Sequence, residues 1–154
     1  MFEPRPIKPW ANGLYGLLLA LWAGGLWTVG WVVPVLFANL QSLVAGNIAA
    51  QLFTWLSWGG LVCGAGLIAL RVRALPAQGR RGRDWTLWAL VLMLLLTAVG
   101  HFGLGTMMED LRRQAAPLAI SESPLRGRFG MLHGISSTLY LIQAAIALVL
   151  VWRR

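Results

Sequence analysis

The chain has 154 residues, 58% of them hydrophobic and only 12% charged. These proportions lie far outside those of soluble domains and exclude a water-soluble globular protein. The formal net charge of +8 sits at the ends of apolar runs, so it marks membrane topology and argues against a nucleic-acid surface.

The N-terminal stretch Glu3-Pro-Arg-Pro-Ile-Lys-Pro9 is too rich in proline to be helical throughout and predicts a short leader. From Pro9 to Leu70 there is no Asp, Glu, Lys, Arg or His, which leaves room for two spans of about 20 residues each. The first predicted span covers 11–37. Its apolar core exceeds the roughly 7 to 15 residues of a cleaved signal peptide, so it is expected to stay. Trp10 suits the headgroup layer. Gly16, Ala20, Gly24 and Thr28 recur every four residues, a spacing that lets a second helix approach closely. Pro34 predicts a kink or an early end.

Asn39, Gln41, Ser42, Gly46 and Asn47 form the polar cluster of the first outer turn. The second span is predicted over 47–70, with Ser57, Gly60 and Gly64 as its close-packing face. Trp55 and Trp58 are expected to face lipid or the interface. Cys63 lies within this span as the one cysteine of the chain, so no intramolecular disulfide is possible. The linker 71–84 is basic and ends at Asp84, an expected N-cap for the third span over 85–107. Met107 to Gln114 lacks a breaker and pairs Glu109 with Arg112 and Arg113 at helical spacing, which predicts a helical extension within the outer segment 108–128. Ser123-Pro124 has the pattern of an N-cap followed by a first-turn proline, and the fourth span is predicted over 129–152. Gly130 and Gly134 would give it a close-packing edge.

The expected fold is an all-α, integral membrane, antiparallel four-helix bundle in one domain. Arg5, Lys8, Arg71, Arg73, Arg80, Arg81, Arg83, Arg153 and Arg154 fall on one side of it, against Arg112, Arg113, Arg126 and Arg128 on the other. The richer side is expected to be cytoplasmic, with both termini inside and the bundle in a bacterial inner membrane.

The stretch from Arg128 to Gln143 carries most of the chemistry. His133, Ser137, Tyr140 and Ala144 share one helical stripe, and a polar stripe in so apolar a segment is expected to face protein or water. His101 precedes Glu109 by eight residues and His133 follows Arg128 by five. Those spacings correspond to about 12 Å and about 8 Å below the outer charges, so the two imidazoles are expected within roughly 4 Å of one level. His101, His133, Ser137 and Tyr140 are the candidate ligand contacts. With Met131, the two histidines form a candidate set for copper, and paired imidazoles can also hold a haem iron. Cross-helix hydrogen bonding and proton transfer stay open for the same residues. No Ser-His-Asp set, paired intramembrane carboxylates or phosphate-cradling glycine loop is present in the sequence, so no catalytic arrangement is visible and the balance is toward a non-enzymatic protein, with enzymatic activity left open.

Three segments, Leu21 to Phe37, Ala45 to Phe53 and Arg128 to Ser137, together resemble the transmembrane protein 205-like family, domain of unknown function 4149. The resemblance implies a four-helix integral membrane protein without an assigned activity. The Trp22-x-Gly24-Gly25 pattern is more distantly similar to the first helices of copper-resistance D proteins and membrane protoporphyrinogen oxidases, which tend to carry a histidine there. This chain has none before His101. The expected function is a non-enzymatic membrane protein that handles a metal ion or metal-containing small molecule near its outer face. Alternatives are an accessory or assembly subunit docking a membrane-protein partner or a second copy, and a haem-linked membrane oxidoreductase. The expected surroundings are a lipid bilayer and no nucleic acid.

Overall fold

The computed structural model of the protein describes residues 9–75 and 84–153. The predicted leader before Pro9 and the linker arginines Arg80, Arg81 and Arg83 lie outside the described residues. Every regular element among those described is helical: α1 (Pro9–Asn39), α2 (Ser42–Ala74), α3 (Trp85–Ala98), a π-helical turn (Val99–Gly105), α4 (Thr106–Ala115), a 3-10 turn (Ile120–Glu122) and α5 (Arg126–Trp152). With α3, the π-turn and α4 continuous over Trp85–Ala115, four helical rods are long and apolar enough to cross a membrane.

Each rod has a cause in the sequence. α1 contains Pro34 and nevertheless runs on to Asn39, so the expected early end does not occur. Asp84 caps α3, its carboxylate accepting from the Leu87 N–H at 2.7 Å. Glu109 meets Arg113 at 3.3 Å and Arg112 at 3.9 Å, which fits the helical extension to Ala115. Ser123 does not serve as the cap of α5. Its hydroxyl accepts from the Leu125 N–H at 3.1 Å, and the helix begins only at Arg126, after a tight local turn has used the serine.

α1 packs on α2 and α5, and α3 packs on the same two, so the four rods form an antiparallel ring with both described ends of the chain at one end of the bundle. The core joins Leu19, Trp22 and Leu26 of α1, Cys63 and Leu67 of α2, Leu90 and Met93 of α3, and Ala147 and Leu150 of α5. Apolar side chains gain little by leaving lipid for protein, so close fit carries the association. Trp22 supplies that fit by entering a hole left by Gly60 and Gly64. A Cβ at Gly60 would lie 2.6 Å from Trp22 Nε1, and one at Gly64 would lie 2.9 Å from its ring. Among the described residues that indole N–H, fully buried, has no hydrogen-bond partner.

The α1 stripe expected to pack closely does not do so. Gly16 is buried, but Ala20, Gly24 and Thr28 are exposed, because the large knobs Leu19, Trp22 and Leu26 occupy the inner face. Gly130 and Gly134 likewise have open space where a side chain would be. The expected edge on α5 is therefore unpartnered within the bundle.

Candidate functional site

Register across the bundle comes from one buried polar contact at mid-height. Gln143 Nε2 of α5 donates to Thr97 Oγ1 of α3 at 2.8 Å, and Thr97 in turn donates to the Met93 carbonyl at 2.9 Å. One turn back along α5, the Tyr140 hydroxyl donates to the Leu26 carbonyl of α1. Its ring meets Phe53 of α2 edge-on at 5.5 Å. Gly30 makes room, since a Cβ there would lie 3.2 Å from the hydroxyl. Tyr140 therefore ties three helices together, while Ser137 beside it is half-buried.

That register separates the histidines. His101 is four residues beyond Thr97 and His133 is ten residues back from Gln143 toward the same end, which puts them roughly 9 Å apart in height instead of nearly level. Their neighbours differ as well. His101 stands in the π-turn with Trp58 at 5.6 Å and Phe102 at 4.8 Å, both edge-on. His133 is exposed and stacks on Phe129 at 6.0 Å, with the Arg112 guanidinium 5.3 Å from the centre of the same Phe129 ring. Met131 is 61% exposed. Among the described residues no group of three or more His, Cys, Asp or Glu is placed to hold a metal ion.

The π-turn has a sequence cause. Gly100, Gly103 and Gly105 lie inside seven residues, and the Thr106 hydroxyl donates to the carbonyls of Phe102 at 2.9 Å and Gly103 at 2.8 Å. A π-turn inserts an extra residue and re-aims the side chains beyond it, a device frequent at functional sites.

At the opposite end, where α1 begins and α5 finishes, the four rods part around a cavity of about 490 Å³. Asn12 and Tyr15 of α1, Ala74 and Arg71 of α2, Thr86 of α3, Leu150 of α5 and Arg153 just beyond that helix line it. Arg71 grips Asp84 through Nη2 at 2.7 Å and Nε at 3.4 Å, joining the end of α2 to the start of α3. Burial by itself would raise the Asp84 carboxyl, but the Arg71 hydrogen bond, the Leu87 N–H and the guanidinium charge outweigh it and hold the group below the usual carboxylate range. Arg153 lies over the Trp85 ring, 5.0 Å from its centre. Trp10, Trp85 and Trp152 are exposed around the same end, the arrangement of an interfacial aromatic belt.

Sequence reasoning passed over this cavity because each helix contributes only one to three of its residues. The available signals were polar residues in the first turns of spans, Asn12, Tyr15 and Thr86, and the opposite charges Arg71 and Asp84 flanking one linker.

A family model described as Domain of unknown function (DUF4149) matches residues 17–117. The chain belongs to this family. The match runs from the first turns of α1 through α4 and stops before α5, so it includes Trp22, Arg71, Asp84 and His101 but not His133, Tyr140 or Arg153. No curated protein and no solved structure matches the chain. Family and fold together make this DUF4149 chain an integral membrane four-helix protein.

Proposed function

We propose that this DUF4149 protein is a non-enzymatic ligand-binding protein of the inner membrane, with both termini cytoplasmic and its binding space in the cavity among the helix ends. One observation carries the reading. The cavity has the size of small-molecule sites, about 300 to 1,000 Å³, and combines apolar walls with a few convergent polar groups, here Asn12, Tyr15, Thr86, Arg71 and Arg153. The basic excess at that end supports the cytoplasmic assignment. Solvent extraction and mass spectrometry of detergent-purified protein test the reading. Wild type is expected to carry a bound small molecule or lipid in stoichiometric amount, and Ala74→Phe, which fills the cavity, is expected to lose it. Equal contents in the two proteins would refute it.

A second reading, an accessory subunit, is favoured by the outward face of Ala20, Gly24 and Thr28, where a side chain at Gly24 would meet nothing within 4 Å. Small residues facing lipid allow another helix to approach closely. Co-purification in mild detergent, with Gly24→Leu as the disrupting variant, tests it. A partner band unaffected by that variant would count against docking on this face. Metal handling at His101 and His133 has less support, because the two rings stand at different heights and one faces outward.

A further inference from the structure

We infer that the cavity at the chain-termini end holds the phosphate of an anionic phospholipid, gripped between Arg153 and Arg71; this rests on the ligand-binding reading above. Four observations converge on that chemistry. First, the rods of 31 and 33 residues are about 45 to 50 Å long at 1.5 Å per residue, against a hydrocarbon core of about 30 Å, so their ends stand in the headgroup layers. Second, Trp10, Trp85 and Trp152 stand exposed at the helix termini of the same end, and interfacial tryptophan sits at the level of the lipid headgroups.

Third, the charge is unbalanced toward an anion. Among the described residues the charged groups lining the cavity are Arg71 and Arg153, and the neighbouring Asp84, its side chain 9% exposed, is held by Arg71, so among these groups one positive charge is in excess. Fourth, both guanidiniums are prepared for a planar, bidentate partner. The Arg153 Cζ lies 5.0 Å from the centre of the Trp85 ring, a contact with the ring that uses none of its N–H groups as donors to oxygen, and the Asp84 pair uses only the Nε and Nη2 side of Arg71. Leu70, Ala74 and Leu150 give the cavity apolar walls beside the two guanidiniums, against which the first carbons of a lipid would pack.

Native mass spectrometry of the full chain in detergent decides it, with phosphatidylglycerol, neutral diacylglycerol and inorganic phosphate added at equal concentration. Phosphatidylglycerol is expected to be retained about tenfold over diacylglycerol, and Arg153→Gln to lower its retention about tenfold with diacylglycerol unchanged, the effect of one lost charge-assisted contact. Arg153→Lys keeps the charge without the fork and is expected to fall between, which also covers any folding defect of the first variant. Equal retention of charged and neutral lipids, or no effect of Arg153→Gln and Arg153→Lys, would overturn the phosphate assignment while leaving the ligand-binding reading intact. Inorganic phosphate that binds alone or displaces the lipid would assign the cavity to a free anion instead. Retention of none of the probes by wild type would overturn both.

Discussion

At the residue scale, the contact between Trp22 and the α2 glycines sets how closely α1 approaches α2. A side chain at Gly60 or Gly64 would have to displace a buried indole that has no room to move. Gly60→Val and Gly64→Val are therefore expected to destabilise the protein by about 1–3 kcal/mol, the cost of overpacking, as read by thermal melting in detergent. Gly130→Ala, with open space at its Cβ, is expected to melt like wild type. The buried Gln143–Thr97 hydrogen bond is expected to matter less. Gln143→Leu should cost about 0.6 kcal/mol, the average for polar pairs between membrane helices, because Thr97 keeps its bond to the Met93 carbonyl. His133 is exposed and stacks on Phe129. Elemental analysis is accordingly expected to find the same copper content in His133→Ala as in wild type after Cu(I) loading.

At the element scale, α2 and α3 are joined across their linker by Arg71 and Asp84. The Asp84 carboxyl is held below its unfolded value, so its contribution is fully present above the ordinary carboxylate pKa of about 3.9 and is lost as pH falls through the lower folded value. Resistance to unfolding by denaturing detergent should thus be unchanged from neutral pH down to about 5 and drop below about 4. Asp84→Asn should weaken the protein at neutral pH and flatten that acid limb. The third rod shows a second element-level effect. Its glycine-rich stretch Val99–Gly105 adopts a π-turn where the sequence pattern predicted uninterrupted α-helix, and the local change in phase aims His101 at Trp58.

At the scale of the whole molecule, the even number of rods brings both described ends of the chain to one end of the bundle, the end that the proposal above puts on the cytoplasmic side because basic residues gather there. In a Cys63→Ala background, single cysteines introduced at Trp10 and Trp152 should react with a membrane-impermeant thiol reagent only after the cells are opened, whereas one at Leu118 should react in intact cells. Labelling at Trp10 without opening the cells would reverse the orientation. The position of the cavity among four helix ends makes the same experiment relevant to binding, since the orientation it reads decides which leaflet supplies the lipid.

Membrane residence and helix count were legible in the sequence, because the absence of water forces every apolar run of this length into a helix whatever its neighbours do. The Asp84 cap and the Glu109 pairs were legible for a related reason, as they act within one or two turns of their own chain. Which face of each rod points inward was not legible. In so uniformly apolar a chain the inner and outer faces carry similar residues, and only the fit of Trp22 into Gly60 and Gly64 turned the α1 small-residue stripe outward. The heights of His101 and His133 also depended on tertiary contacts, since the Gln143–Thr97 register and the π-turn act between rods and shift one histidine against the other. The cavity arose last, from four helix ends that no stretch of sequence holds together.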